Sequence, residues 1–244
     1  MKWFVKISLA VGVIGMLAVL AFGYLGGFFG NEAEKIDMKK TLDAEGINGI
    51  TIDGELAEIH IHTHDQSKIT AEVTGRVGKN VVTDFQADTS GQSATIKLSQ
   101  DQKSPISFNW PEPKLNVYIP DKMYETLTLK TSFGDLRSDQ KLSAKKINVN
   151  ADDGDVVLNG FQGEIIKGTI KFGNMTLQQL DASVDLKTDG GNVNVSPIAE
   201  LKGQNQINAQ FGDVNIKLPQ EPEGLTLDLR AKCIKGIDWK NCNE

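Results

Sequence analysis

From Leu127 onward, apolar and polar residues alternate in short runs, and the runs recur. Five segments align: SFGDLRS, DDGDVVL, KFGNMTL, DGGNVNV and QFGDVNI. Their shared glycines are Gly134, Gly154, Gly173, Gly191 and Gly212, spaced 20, 19, 18 and 21 residues apart. The residue after each glycine is Asp or Asn: Asp135, Asp155, Asn174, Asn192 and Asp213. Two positions past the glycine stand Leu136, Val156, Met175, Val193 and Val214, and four past it Ser138, Leu158, Leu177, Val195 and Ile216. This period of two marks a strand with one buried face. A second strand precedes each glycine. Seven positions before it come Leu127, Ile147, Ile166, Val184 and Asn205, and five before it Leu129, Val149, Gly168, Leu186 and Ile207. Three before it the residues are small (Thr131, Ala151, Thr188, Ala209), with Ile170 the exception.

Self-similarity at this period predicts stacked coils, each a strand, a Gly-Asp/Asn corner, a strand and a looser return. One coil cannot bury its apolar face alone; stacking at about 4.8 Å buries it and pairs the backbones. The fold class expected is therefore all-β, a right-handed parallel β-solenoid of about 20-residue coils. Glycine at each corner implies a positive φ or a crowded backbone, and Asp or Asn beside it can hydrogen-bond the local backbone. Each inward Leu, Ile or Val contributes roughly 1.5–3 kcal/mol on burial.

Between residues 47 and 126 the alternation persists without the repeat. GITIDGELAEIHIHTH, KITAEVTGRV, SATIKLSQ and KLNVYIP read as strands, with turns at Asp65–Ser67 and Ser90–Gln92. This part is expected to cap or extend the solenoid. The segment Pro105–Pro113, with Trp110 and Pro111 inside it, reads as a loop because proline cannot serve a central strand.

Ahead of these strands lies a different pattern. Ile7 to Gly30 is 24 residues without a charge. At about 1.5 Å per residue, such a helix crosses a hydrocarbon core of about 30 Å. Trp3 and Phe4 at one end, and Tyr24, Phe28 and Phe29 at the other, fall at the expected interfaces. The expectation is an uncleaved transmembrane anchor. The alternative, a cleaved signal with Ala21 and Gly23 before the cut, fits less well because the apolar run continues through Phe29. Lys2 and Lys6 flank one side and Lys35, Lys39 and Lys40 the other, so lysine asymmetry does not orient the segment. A short N-terminal tail that stays inside places the C-terminal domain outside the cell membrane. Gly23 and Gly27 form one GxxxG. The organisation expected is an anchor over 1–30, a charged stalk over 31–46 for which a short helix is one option, a β-rich part over 47–126, the repeat solenoid over 127–232 and a tail over 233–244.

Charge narrows the partners. Lys plus Arg number 26 against 32 Asp plus Glu, a net charge of −6. Without Lys2 and Lys6, 24 bases face 32 acids, a net −8. Such a surface repels phosphate backbones, which argues against nucleic acid. Cys233 and Cys242 are the two cysteines. In an oxidising compartment they would close a small loop and pin the tail, adding about 2–3 kcal/mol by loop entropy; the alternative is two free thiols.

Candidate chemistry is sparse. His60, His62 and His64 alternate along IHIHTHD. On a strand they share one face about 7 Å apart, a geometry that can hold a metal. The competing reading is a solvated face opposite Ile59 and Ile61. The Asp/Asn row of the corners could take up Ca²⁺ as an oxygen ladder, or simply alternate charge and amide as structure. Phe133, Phe172 and Phe211 precede three of the corner glycines and read as corner packing, with a carbohydrate platform as the alternative. No Ser/His/Asp set, phosphate loop, CxxC or glycosidase carboxylate pair stands out, so no catalytic or cofactor residue is assigned. With three arginines, Arg76, Arg137 and Arg230, a polysaccharide lyase is disfavoured.

The run GELAEIHIHTHDQSKITAEVTG, followed by FGDL, DGDV, FGNM, GGNV and FGDV, resembles the putative-adhesin, LiaG-like family of bacterial envelope proteins over roughly residues 47–230. The resemblance implies an envelope-facing β-solenoid on an N-terminal anchor and brings no catalytic or ligand residue with it. The function expected is that of a non-enzymatic, membrane-anchored envelope protein whose solenoid meets an envelope protein or a wall polymer. The alternatives are an accessory sensor or regulator of envelope stress acting through a membrane partner, and a glycan-active β-helical enzyme.

Overall fold

The computed structural model describes residues 33–78, 81–102, 113–197, 202–219, 227–231 and 238–239. The apolar run Ile7–Gly30 and both cysteines lie outside these residues. Among the described residues no helix is long and apolar enough to cross a membrane.

In chain order the strands are β1 (Ala33–Asp43), β2 (Gly49–Leu56), β3 (Glu58–His64), β4 (Lys68–Gly78), β5 (Val81–Ser90), β6 (Ser93–Gln102), β7 (Lys114–Pro120), β8 (Tyr124–Phe133) and β9 (Leu136–Ser138). They continue as β10 (Leu142–Asp153), β11 (Val156–Phe172), β12 (Met175–Gly190), β13 (Val193–Pro197), β14 (Asn205–Ala209), β15 (Val214–Leu218), β16 (Leu227–Ala231) and β17 (Asp238–Trp239). The expected all-β solenoid is present.

The parallel registers define two walls. The first stacks Ile50, Leu127, Ile147, Ile166 and Val184 in successive layers. The second stacks Ile59, Leu136, Val156, Met175, Val193 and Val214. Every one of these side chains is buried. Opposite the glycine corner the chain returns through a shorter side, where Leu142, Phe161 and Leu180 stand in register. β11 and β12 run through this return with register shifts at Gln162/Ile165 and Gln178/Leu180, which is how one strand serves both walls.

Residues 47–126 both extend and cap this stack. β2 pairs in parallel with β8 on one side and β6 on the other, and β3 likewise with β9 and β7. The chain thus lays down β2–β3, builds the next layer outside it with β6–β7, then crosses back to stack β8–β9 on the opposite face. The end layer is closed by antiparallel strands. β5 pairs with β6, β4 with β7, and β1 with β4. Antiparallel closure ends the ladder without leaving a long apolar parallel edge.

Residues 33–43 form neither a free stalk nor the short helix that was one option for it. They form an edge strand in full register with β4, from Ala33 opposite Gly78 to Asp43 opposite Lys68. Ile36, Met38 and Leu42 pack against the core from alternate positions, and the Lys40 ammonium lies 5.6 Å from the centre of the Phe85 ring. The period of two in IDMKKTL carries this outcome, with Lys40 standing on the inward parity over Phe85 and Lys39, on the other face, paired with Glu72 at 2.8 Å.

Candidate interaction surface

The outward features of the fold are the glycine corner, the row of phenylalanines beside it, and the polar face of β3. At the corner, Gly134, Gly154, Gly173, Gly191 and Gly212 have φ of 118°, 122°, 127°, 125° and 130°. Each sits directly over the corner of the preceding layer. A Cβ on Gly154 would lie 2.3 Å from the Gly134 carbonyl oxygen, and one on Gly191 would lie 1.8 Å from that of Gly173. Gly134 itself stacks on Ala57, so the ladder starts one layer earlier than the glycine repeat reveals.

The Asp/Asn residues link the layers. The backbone N–H of Asp155 donates to Asp135 Oδ1 at 2.8 Å, that of Asn174 to Asp155 Oδ1 at 2.8 Å, that of Asn192 to Asn174 Oδ1 at 3.0 Å, and that of Asp213 to Asn192 Oδ1 at 2.8 Å. The side chains therefore bond the backbone of the neighbouring coil, not their own turn. Asn174 Nδ2 also donates to Asp155 Oδ1 at 3.1 Å. Backbone bonds cross the same corner, such as Val156 N to Asn174 O at 2.8 Å. One oxygen of each rung is committed to holding coils together. Asp155→Ala should lower stability by about 1–2 kcal/mol in urea unfolding, because the Asn174 N–H loses its partner. Asp155→Asn, which keeps the acceptor, should recover most of the loss.

Phe133, Phe172 and Phe211 are not packed into the corner. Their exposures are 54%, 63% and 54%. Strict alternation would turn this residue inward with those three, five and seven before the glycine; the chain bends at the corner instead, so the alternation breaks there and the residue just before the glycine lies on the outer bend.

On β3, Ile59 and Ile61 are buried and the three histidines face outward. The rings have separate partners. His60 Nε2 lies 2.6 Å from Glu58 Oε1, His62 stacks on Tyr118 at 4.8 Å between centroids, and His64 Nδ1 accepts the Gln66 N–H at 2.9 Å. The His60 and His62 centroids are 6.3 Å apart. Among the described residues no group of three or more His, Cys, Asp or Glu side chains converges to hold a metal. His60, His62 and His64 share a face but are not gathered into a metal set, because each ring is occupied by its own strand neighbour, cross-strand partner or turn. Glu58 and Lys114, which complete this patch, are absent from the sequence-level candidates. Lys114 Nζ lies 2.9 Å from Glu58 Oε2. Lys114 first, and His60 second, hold the Glu58 carboxyl below its ordinary pKa. The i, i+2 relation of Glu58 to His60 was legible, whereas Lys114 and Tyr118 reach them only through the β3–β7 register.

Two surface hollows accompany these features. One, of about 450 Å³, is bounded by the turns at Asp43–Gly46 and Asp65–Ser67 with Lys122, whose ammonium donates to the Ala44 carbonyl at 3.0 Å. The other, of about 500 Å³, lies on the first wall around Asn148, Asn150 and Lys187, with Lys167 paired to Asp185 at 3.1 Å. In both, lysines are engaged by neighbouring protein oxygens.

Solved structures similar to this chain include three from bacteria. A putative cell adhesion protein from Clostridium sporogenes is 16% identical, with 76% of this chain and 100% of that one covered, at a TM-score of 0.46. A putative adhesin from Bacteroides fragilis is 21% identical, with 84% and 96% covered, at 0.47. A putative lipid binding protein from Parabacteroides distasonis is 16% identical, with 81% and 95% covered, at 0.38. No curated protein matches the chain. The family model of Toastrack DUF4097 matches residues 47–231, from two residues before β2 to the last residue of β16. The chain belongs to the Toastrack DUF4097 family.

Proposed function

We propose that this is a membrane-anchored, LiaG-like protein of the bacterial cell envelope, and that its right-handed solenoid is a rigid, non-enzymatic surface for binding an envelope partner outside the membrane. The observation that carries the reading is the outer corner. Five corner glycines stacked on one another, and four side-chain-to-backbone bonds between successive coils, hold an exposed aromatic row in fixed register. Rigid presentation of exposed rings suits binding, since little order has to be imposed when a partner arrives.

The uncharged run Ile7–Gly30 supports an anchor, because its length suits a single membrane crossing. Only Asn31 and Glu32 separate it from β1, which begins at Ala33, and this would set the antiparallel cap next to the lipid and direct the repeat away from it.

The test is protease treatment of intact cells and of lysed cells carrying the full chain with a C-terminal epitope. The epitope should be removed from intact cells, while the chain partitions with membranes until residues 1–30 are deleted. Protection in intact cells, with cleavage only after lysis, would overturn the outward placement.

A further inference from the structure

Phe133, Phe172 and Phe211 occupy one line along the solenoid. The registers place Phe133 opposite Asp153 and Asp153 opposite Phe172, then Phe172 opposite Gly190. Gly191 N donates to Phe211 O, and Gly212 stacks on Gly191, so Phe211 falls on the layer beyond Gly190. The order along the edge is therefore Phe, Asp, Phe, Gly, Phe. Small or polar residues separate the rings, and a Cβ on Gly190 would already lie 3.3 Å from Phe172 Cδ1. With layers about 4.8 Å apart, successive rings repeat every 9–10 Å or about that.

Acids outnumber bases along the edge. Asp135, Asp152, Asp153, Asp155, Asp189 and Asp213 flank the rings, against Lys171, which pairs with Asp152 at 2.7 Å, and Lys187, which pairs with Asp189 at 3.7 Å. Aromatic faces bordered by carboxylates attract cations and repel anionic polymers.

The spacing, the exposed faces and the charge point to one occupant: we infer that this edge binds a β-1,4-linked amino-sugar glycan. In such a chain alternate sugars present the same face, and the disaccharide repeat is close to the two-layer step of the rings. Every second sugar can then lay its C–H face on a phenylalanine, while amino groups and hydroxyls meet the flanking carboxylates and amides. An extended peptide presents same-face side chains about 7 Å apart and falls out of step. A polyproline helix, at about 9.3 Å per turn, keeps step but supplies no positive charge of its own. The inference deepens the envelope reading above by naming the class of partner.

The experiment titrates the full chain, in mild detergent, with the β-1,4-linked glucosamine hexasaccharide, its N-acetylated counterpart and a Pro-Pro-Lys repeat peptide. At least one hexasaccharide should bind, and Phe172→Ala should weaken it about tenfold, the scale of stacking on an aromatic ring. Phe133→Ala/Phe172→Ala should abolish measurable binding with an unchanged thermal melt, because both rings lie outside the core. Asp153→Ala should weaken the free-amine form and spare the acetylated form, which tells the two sugar sources apart. Silence from both hexasaccharides, sugar binding indifferent to the double variant, or ring-dependent binding of the peptide alone would each overturn the inference. Any of these results alongside a protease-accessible domain leaves the envelope reading standing; sugar binding by a domain protected in intact cells does the reverse.

Discussion

Gly154→Val should destabilise the domain by about 4 kcal/mol or more, while Lys145→Ala should leave its melting temperature nearly unchanged. Two separate costs meet at Gly154. Its φ of 122° is a region that β-branched residues avoid. A Cβ would also stand 2.3 Å from the Gly134 oxygen and 2.7 Å from its carbonyl carbon. Those atoms belong to the backbone of the next coil, so relief requires the two coils to part. Parting them strains the bonds from Asp155 N to Asp135 Oδ1 and from Leu136 N to Asp155 O. Lys145, by contrast, reaches into solvent and pairs with the exposed Glu125 at 2.8 Å, an interaction that water screens. Thermal unfolding of the two variants beside the parent checks the claim, and equal melts would refute the corner assignment.

Phe161→Ala should cost about 3–5 kcal/mol, whereas Phe172→Ala should stay within about 0.5 kcal/mol of the parent in urea unfolding. The two residues belong to the same strand, eleven positions apart. Phe161 is fully buried on the return side, in register between Leu142 and Leu180. The Gly163 backbone closes on the ring and on the neighbouring coil alike: a Cβ there would lie 2.5 Å from Phe161 Cζ and also collide with the Ala144 carbonyl oxygen. Truncation therefore leaves a cavity that its neighbours cannot close. Phe172 sits on the outer bend and loses little when shortened. A similar cost for both would mean that the bend is packed, and the aromatic row would lose its claim to be a surface.

The sequence alone determined the coil and its corner. Alternation with a period of two, and a glycine recurring every 18 to 21 residues, are local facts about which side chains face inward and where the chain must turn. Buried Leu129, Val149 and Leu186 follow from that pattern directly. The acidic balance and the long uncharged run Ile7–Gly30 are likewise readable without coordinates. Even the edge strand at 33–43 had its signal in Ile36, Met38 and Leu42, hidden by the charges between them.

Only the tertiary structure decided which strand lies beside which. An alternating strand pairs equally well with many partners, so nothing local placed β2–β3 between β6–β7 and β8–β9, or set Ala57 beneath Gly134. The same holds for the outward surface. Asp135, Asp155, Asn174 and Asn192 bond the next coil because that coil lies within reach, and His60, His62 and His64 are dispersed because Glu58, Tyr118 and Gln66 each engage one ring. The phenylalanine row exists only because consecutive coils stack in register. Side-chain direction is encoded within a few residues, whereas neighbourhood arises from pairing across the whole chain.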